Sequence, residues 1–226
     1  YPGNLKRVGD EAFANGMNRF VLHAYAHQPW TDGRRPGMQF SWYGPHFERT
    51  NTWFEPGRAW LEYLARCQYM LQQGAFVGDV CYVQNGSAPT AFESLDLSPA
   101  TPDGYSYSVC SLDMLMRMDV RDGRIELPSG VSYSLLVLPR SEFMTPETLE
   151  KVKSLVEAGA VVLGPKPVRS PSLANFPHCD RRLKEMADSM WGDPSEPGMT
   201  RIGRGRLYWG ASVGSVLARE KIGPNC

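Results

Sequence analysis

The chain has 226 residues, 42% hydrophobic and 21% charged, enough apolar content to bury a real core and too much for a disordered chain. Its 24 basic and 24 acidic residues cancel, and no basic run is long enough to follow a phosphate backbone or an anionic membrane surface, which argues against both as partners. No segment offers the roughly 20 consecutive apolar residues of a spanning helix, and five scattered cysteines without a C-x-x-C pair mark neither a disulfide framework nor a zinc site.

In chain order, Leu5, Val8, Ala12 and Phe13 recur at helical spacing as far as Gly16, where a helix stops. Residues 18–27 then read as a strand. Val21, His23, Tyr25 and His27 share one alternate face, and Phe20, Leu22, Ala24 and Ala26 the other, so both faces are suited to burial in a parallel α/β layer. A stretch over 28–51, rich in Gly, Pro and aromatics, is too long to be a mere connection. Thr52 and Glu55 spell a capping box, Pro56 falls in the first turn, and Trp60, Leu64, Cys67 and Leu71 form an apolar stripe ending near Gly74. Helix, strand, long loop and helix is the repeat of a (β/α)8 barrel or a doubly wound sheet. The domain boundary is placed at Gly74, giving domains 1–74 and 75–226.

The second domain alternates the two periodicities. Residues 76–83 predict a buried strand, 85–104 a loop, 111–118 a helix and 133–139 a short strand closed by Pro139. Thr145 caps a helix with Pro146 at its first position, Leu149, Val152, Leu155 and Val156 facing inward and Gly159 at its end. Strand 160–164, helix 181–190, strand 205–210 and helix 213–220 follow. This order predicts a parallel sheet covered on both faces, Rossmann-like or flavodoxin-like in outline.

Two clusters carry candidate chemistry. Residues following the carboxyl ends of barrel strands build the site, which points to His23, Tyr25, His27, Gln28 and Trp30. The second cluster, His46, Glu48, Arg49, Asn51 and Trp53, mixes aromatic plates with amide, guanidinium and carboxylate groups; sugar C–H faces pack on indole rings while hydroxyls take fixed hydrogen bonds. A metal is a weaker reading of the His pair, because the i, i+4 ligand spacing belongs to helices. The α/β part has no G-x-G-x-x-G, Walker loop or nucleophile elbow, so a free-standing amidotransferase-like enzyme is disfavoured. Acid–base chemistry on a sugar ligand needs placed carboxylates. Asp32 sits in an Asp-Gly turn and Glu55 is assigned to the helix cap, which leaves Glu48 as the one catalytic candidate in this chain.

The runs 18–30 and 46–53, continued by 60–68 and 162–171, resemble the α-L-rhamnosidases of glycoside hydrolase family 106. The resemblance implies a large multidomain enzyme in which a (β/α)8 barrel precedes an amidotransferase-like domain similar to that of family 42 β-galactosidases. It also implies calcium-assisted inverting hydrolysis of a rhamnose-containing oligosaccharide or glycoside, in a secreted or periplasmic bacterial setting. Residues 1–74 are then the C-terminal end of the barrel, and the catalytic carboxylates are expected upstream, in missing domains of the same polypeptide. The resemblance assigns no calcium ligand here. The alternative is a non-catalytic carbohydrate-binding or assembly module.

Overall fold

The computed structural model describes residues 2–23, 25–39, 47–84 and 97–224, and the chain divides into two compact units, Tyr1–Gly74 and Ala75–Cys226. The first holds helices α1 (Pro2–Ala14) and α2 (Phe54–Leu71). They are tied by the Tyr63 hydroxyl, which donates to Asp10 at 2.6 Å, and the Phe13 ring of α1 meets Phe20, in the segment between the helices, at 4.8 Å.

The strand expected over 18–25 does not form: the described residues there have no regular structure, Val21 is 92% exposed and His23 is also exposed. A strand apolar on both faces requires neighbours on both edges for its N–H and C=O groups, and the described residues of this unit contain no strand. Glutamines at the end of α2 and just after it take backbone groups instead. Phe20 N–H donates to Gln68 Oε1 at 2.6 Å, and Gln72 Nε2 donates to the Asn18 carbonyl at 2.8 Å. The capping box at Thr52 is likewise absent, since α2 is preceded by Trp53 with no side-chain cap. Successive turns, Asn51 N–H to Glu48 O at 3.0 Å and Phe54 N–H to Asn51 O at 3.2 Å, run straight into the helix and leave Thr52 inside a turn.

In the second unit the elements are β1 (Val80–Val83), β2 (Tyr107–Cys110), α3 (Leu112–Met116), β3 (Asp119–Arg121), β4 (Arg124–Glu126), β5 (Ser132–Tyr133), β6 (Leu135–Val137), α4 (Pro146–Ala158), β7 (Val161–Leu163), α5 (His178–Trp191), β8 (Gly198–Ile202), β9 (Gly205–Trp209) and α6 (Val213–Arg219). One sheet has the order β2-β1-β6-β7-β9-β8 and a small antiparallel one the order β3-β4-β5. The first five strands of the large sheet pair in parallel, whereas β8 pairs antiparallel to β9 and so departs from the all-parallel expectation. The β3–β4 hairpin turns on Asp122-Gly123, both at positive φ (51° and 76°), as a two-residue turn matched to strand twist demands.

Alternate residues of each strand feed opposite cores. Cys81, Leu136, Val162 and Leu207 pack with Leu149 and Val152 of α4 and Leu183 of α5. Tyr82, Leu135, Val161 and Tyr208 pack with Val213, Val216 and Leu217 of α6. Each such aliphatic side chain contributes about 1.5–3 kcal/mol when fully buried. Arg124 fastens the small sheet to the large one, donating to Ser132 Oγ at 2.9 Å, Ser134 Oγ at 2.6 Å and the Gly78 carbonyl at 3.2 Å.

Helix α4 begins where its sequence says. Thr145 Oγ1 accepts from Thr148 N–H at 3.3 Å, Pro146 opens the helix and Gly159 closes it. Replacing Thr145 by Ala is expected to cost about 1 kcal/mol, whereas Gly205→Ala, whose Cβ would collide with the Val156 and Ala160 carbonyls, is expected to cost about 3 kcal/mol or more. Urea unfolding of the two variants measures the difference, and equal losses would refute the packing assigned to Gly205. Burial, reinforced by a 2.6 Å hydrogen bond to Glu220, raises the Tyr208 hydroxyl from its ordinary 10.0 to about 12. A tyrosine that keeps its proton longer when folded stabilises fully below pH 10.0 and loses that contribution as pH rises to about 12. The urea midpoint is therefore expected to fall across that window, and to fall less in Tyr208→Phe.

Candidate functional site

The described site is a polar network in the loop between α1 and α2, centred on Glu48, which has no exposed surface. Its Oε2 accepts from the Gln28 side-chain amide. Its Oε1 accepts from Gln39 Nε2 at 2.5 Å, and the Thr50 hydroxyl lies 2.9 Å from the same oxygen. Gln28, itself only 7% exposed, is held in return by Met38, whose N–H donates to Gln28 Oε1 at 2.9 Å while its carbonyl accepts from Gln28 Nε2 at 2.5 Å. A carboxylate enclosed in protein costs several kcal/mol of lost hydration unless donors replace the water, and here amides and a hydroxyl do so.

The backbone around the network follows from these demands. Gly37 has φ +72°, and a side chain there would strike the Gln28 amide oxygen. Arg49 spans the loop from the other side, its Nη2 donating to the Gln28 carbonyl at 2.9 Å and the Trp30 carbonyl at 3.0 Å. Beneath, Phe47 packs edge-on against Trp53 at 5.4 Å and stacks on Trp60 at 6.0 Å, anchoring the loop to α2. Trp60 Nε1 is buried without a hydrogen-bond partner.

The structure thus brings together Gln28, Glu48, Arg49 and the backbone of Trp30, with Asn51 in the turn that follows Glu48 and Trp53 in the apolar support. His23, Tyr25 and His27 stand exposed, outside the buried network and without the common strand face that the sequence suggested. His46 lies outside the described residues. Gln39, Thr50 and Gly37 were not singled out by sequence: their partners are 2 to 14 positions away along an irregular loop, and no periodicity marks such pairs.

At the rim, Trp30 is 37% exposed and carries the Arg34 guanidinium 5.0 Å above its ring. Arg34 also pairs with Asp32 at 2.8 Å, and its hydrogen bonds hold the Asp32 carboxyl below the ordinary carboxylate range. Of the three carboxylates considered for catalysis, Glu48 is enclosed with both oxygens engaged, Asp32 is paired to Arg34, and Glu55 is exposed in the first turn of α2. Among the described residues no group of three or more His, Cys, Asp or Glu could hold a metal ion. None of them is therefore assigned as a calcium ligand, and no chemical step is assigned to calcium here. The described residues of the loop form a hydrogen-bonded network with an aromatic and cationic rim at Trp30 and Arg34.

The family model described as alpha-L-rhamnosidase, glycoside hydrolase family 106, matches residues 1–226. A rhamnosidase structure from Novosphingobium sp. PP1Y superimposes with a TM-score of 0.82 at 29% identity, covering 99% of this chain and 21% of that one. A Formosa agariphila protein, named provisionally a beta-glucuronidase, is 42% identical over 193 residues, 85% of this chain and 16% of its own length. The family 42 β-galactosidase Gan42B aligns over 74% of the chain with a TM-score of 0.41 and 11% identity, a likeness too low to bear on the fold. The chain spans between a sixth and about a fifth of the length of the two proteins it most informatively matches. With the family model matched from end to end and an α/β fold shared with a rhamnosidase, the chain belongs to the α-L-rhamnosidases of glycoside hydrolase family 106.

Proposed function

We propose that the chain is one part of an enzyme that cleaves α-L-rhamnosides by inversion, and that residues 1–74 supply substrate-contacting groups while the general acid and base lie in other parts of the polypeptide. The observation that carries this reading is the state of Glu48. An inverting pair stands about 6.5–9.5 Å apart with water between, and each carboxyl must reach the reacting atoms. Glu48 has no exposed surface and its oxygens are taken by Gln28, Gln39 and Thr50. It acts as a positioning residue that fixes the loop from which Trp30, His27 and Arg49 meet a glycoside.

The barrel reading of 1–74 is supported by the two-faced apolar pattern of 18–27 together with the exposure of Val21 at 92%, Tyr25 at 64% and Leu22 at 42%. In the parent enzyme, strands of the same polypeptide pair with this segment and cover it. The flavodoxin-like or amidotransferase-like reading of 75–226 is supported by the order of the parallel strands, which is 2-1-3-4-5 when they are numbered among themselves. A secreted or periplasmic location follows from the family; no helix of the described residues is long and apolar enough to cross a membrane.

Residues 1–226 and a longer polypeptide extended upstream are to be assayed with an aryl α-L-rhamnoside and an aryl β-D-glucuronide, each with and without calcium. Rhamnoside turnover by the longer polypeptide and none by residues 1–226 is the expected result. Turnover by the short chain alone would overturn the division of labour, and preference for the glucuronide would give the enzyme the chemistry in the name of its Formosa relative. In the longer polypeptide, Glu48→Gln keeps the size of the side chain but puts an NH2 against the donors of Gln28 or Gln39. The expected outcome is a loss of about 1–3 kcal/mol in stability with a rise in KM and little change in kcat. A fall in kcat of a thousandfold or more, with stability intact, would make Glu48 catalytic.

A further inference from the structure

The large sheet changes direction of growth at one place. From β1 the chain adds β2 on one side, then returns to add β6 on the other, so the connections leaving the carboxyl ends of β1 and β6 part from each other. In open α/β sheets this divergence leaves a crevice that takes ligands. A cavity of about 290 Å³ lies at this point, bounded by Gln84 after β1, Leu138 after β6, Leu112 and Leu115 of α3, and Met144 and Thr148 around the start of α4.

The lining selects a chemistry. Its described lining includes no ionisable side chain, and the Arg169 guanidinium lies on the Phe143 ring, 4.7 Å from its centroid, without forming part of that lining, so an ionised ligand inside the cavity would lose its hydration at a cost of several kcal/mol. Its hydroxyls are already used: Thr148 Oγ1 meets Thr145 Oγ1 at 3.0 Å, and Ser141 Oγ accepts from Phe143 N–H at 3.0 Å. The Gln84 side-chain amide has no hydrogen-bond partner among the described residues, leaving one donor group and one acceptor for a ligand. The remaining wall is aliphatic, with the Met144 thioether 8% exposed and the Phe143 ring 42% exposed beside it, and both pack favourably on aromatic edges and faces. The volume is at the lower limit of about 300 Å³ for small-molecule sites, which fits one ring better than two. We propose that this cavity binds a neutral monocyclic phenol, the ring among Leu112, Leu115, Leu138 and Met144 and the hydroxyl on the Gln84 amide. The cavity is lined by residues of the second unit alone, and the proposal does not depend on the glycosidase reading.

The test is a methyl NMR titration of residues 1–226, labelled at Leu and Met, with phenol, toluene and benzoate. Saturable shifts at Leu112, Leu115, Leu138 and Met144 are expected with phenol, while toluene, which lacks the hydroxyl, and benzoate, which carries a charge, bind about tenfold more weakly. Gln84→Leu is expected to remove the preference for phenol over toluene, and Ser141→Trp, at the rim, to exclude both. Absence of saturable shifts at these methyls overturns the proposal, as does benzoate binding as tightly as phenol or an unchanged phenol preference in Gln84→Leu. The titration of the unsubstituted chain decides the matter even where a variant fails to fold.

Discussion

A backbone amide withdrawn from water must find another partner, and both units are arranged around that demand in opposite ways. In residues 75–226 the strands satisfy one another: β6 lies between β1 and β7, and β9 between β7 and β8, so the central strands can be buried on both faces without leaving polar groups unpaired. Once the ladder is made, alternation sends Cys81, Leu136 and Val162 to one core and Tyr82, Leu135 and Val161 to the other. The helices are then placed by the apolar surfaces they must cover.

The described residues of 1–74 meet the same demand without a sheet. Gln68 of α2 and Gln72 just after it hold the backbone at Phe20 and Asn18, Gln28 holds Met38, and Arg49 holds the carbonyls of Gln28 and Trp30. Side chains thereby do the work of neighbouring strands, one bond at a time and with the entropy of long side chains to overcome. The price is irregularity, and the exposed apolar residues Val21, Leu22 and Tyr25 are what remains when such a segment has no sheet to enter.

The Glu48 network has a consequence for the loop as a functional surface. A buried carboxylate cannot be left half-satisfied, because each donor withdrawn exposes the full cost of its desolvation. Gln28, Gln39 and Thr50 therefore act on Glu48 as one network, to which the Arg49 bonds join the Trp30 backbone.

The sequence alone determined much of the second unit, because its signals are local. The inward face Leu149, Val152, Leu155 and Val156, the Thr145 cap and the closing Gly159 need only helical spacing and capping chemistry, and all appear in α4. The Asp122-Gly123 hairpin was equally readable in principle, since those residues suit two consecutive positive φ values, but the polar β3 and β4 give no apolar alternation to draw attention to it. The family was also legible, because a resemblance such as that of His27-Gln28-Pro29-Trp30 is read from residue order alone. Only the tertiary structure decided that β8 pairs antiparallel at the sheet edge, that the described residues of 18–25 stay irregular, and that Glu48 is enclosed. Each of these depends on which groups meet across long stretches of chain, and the pairing of a strand or the burial of a carboxylate is fixed by neighbours that its own local sequence does not contain.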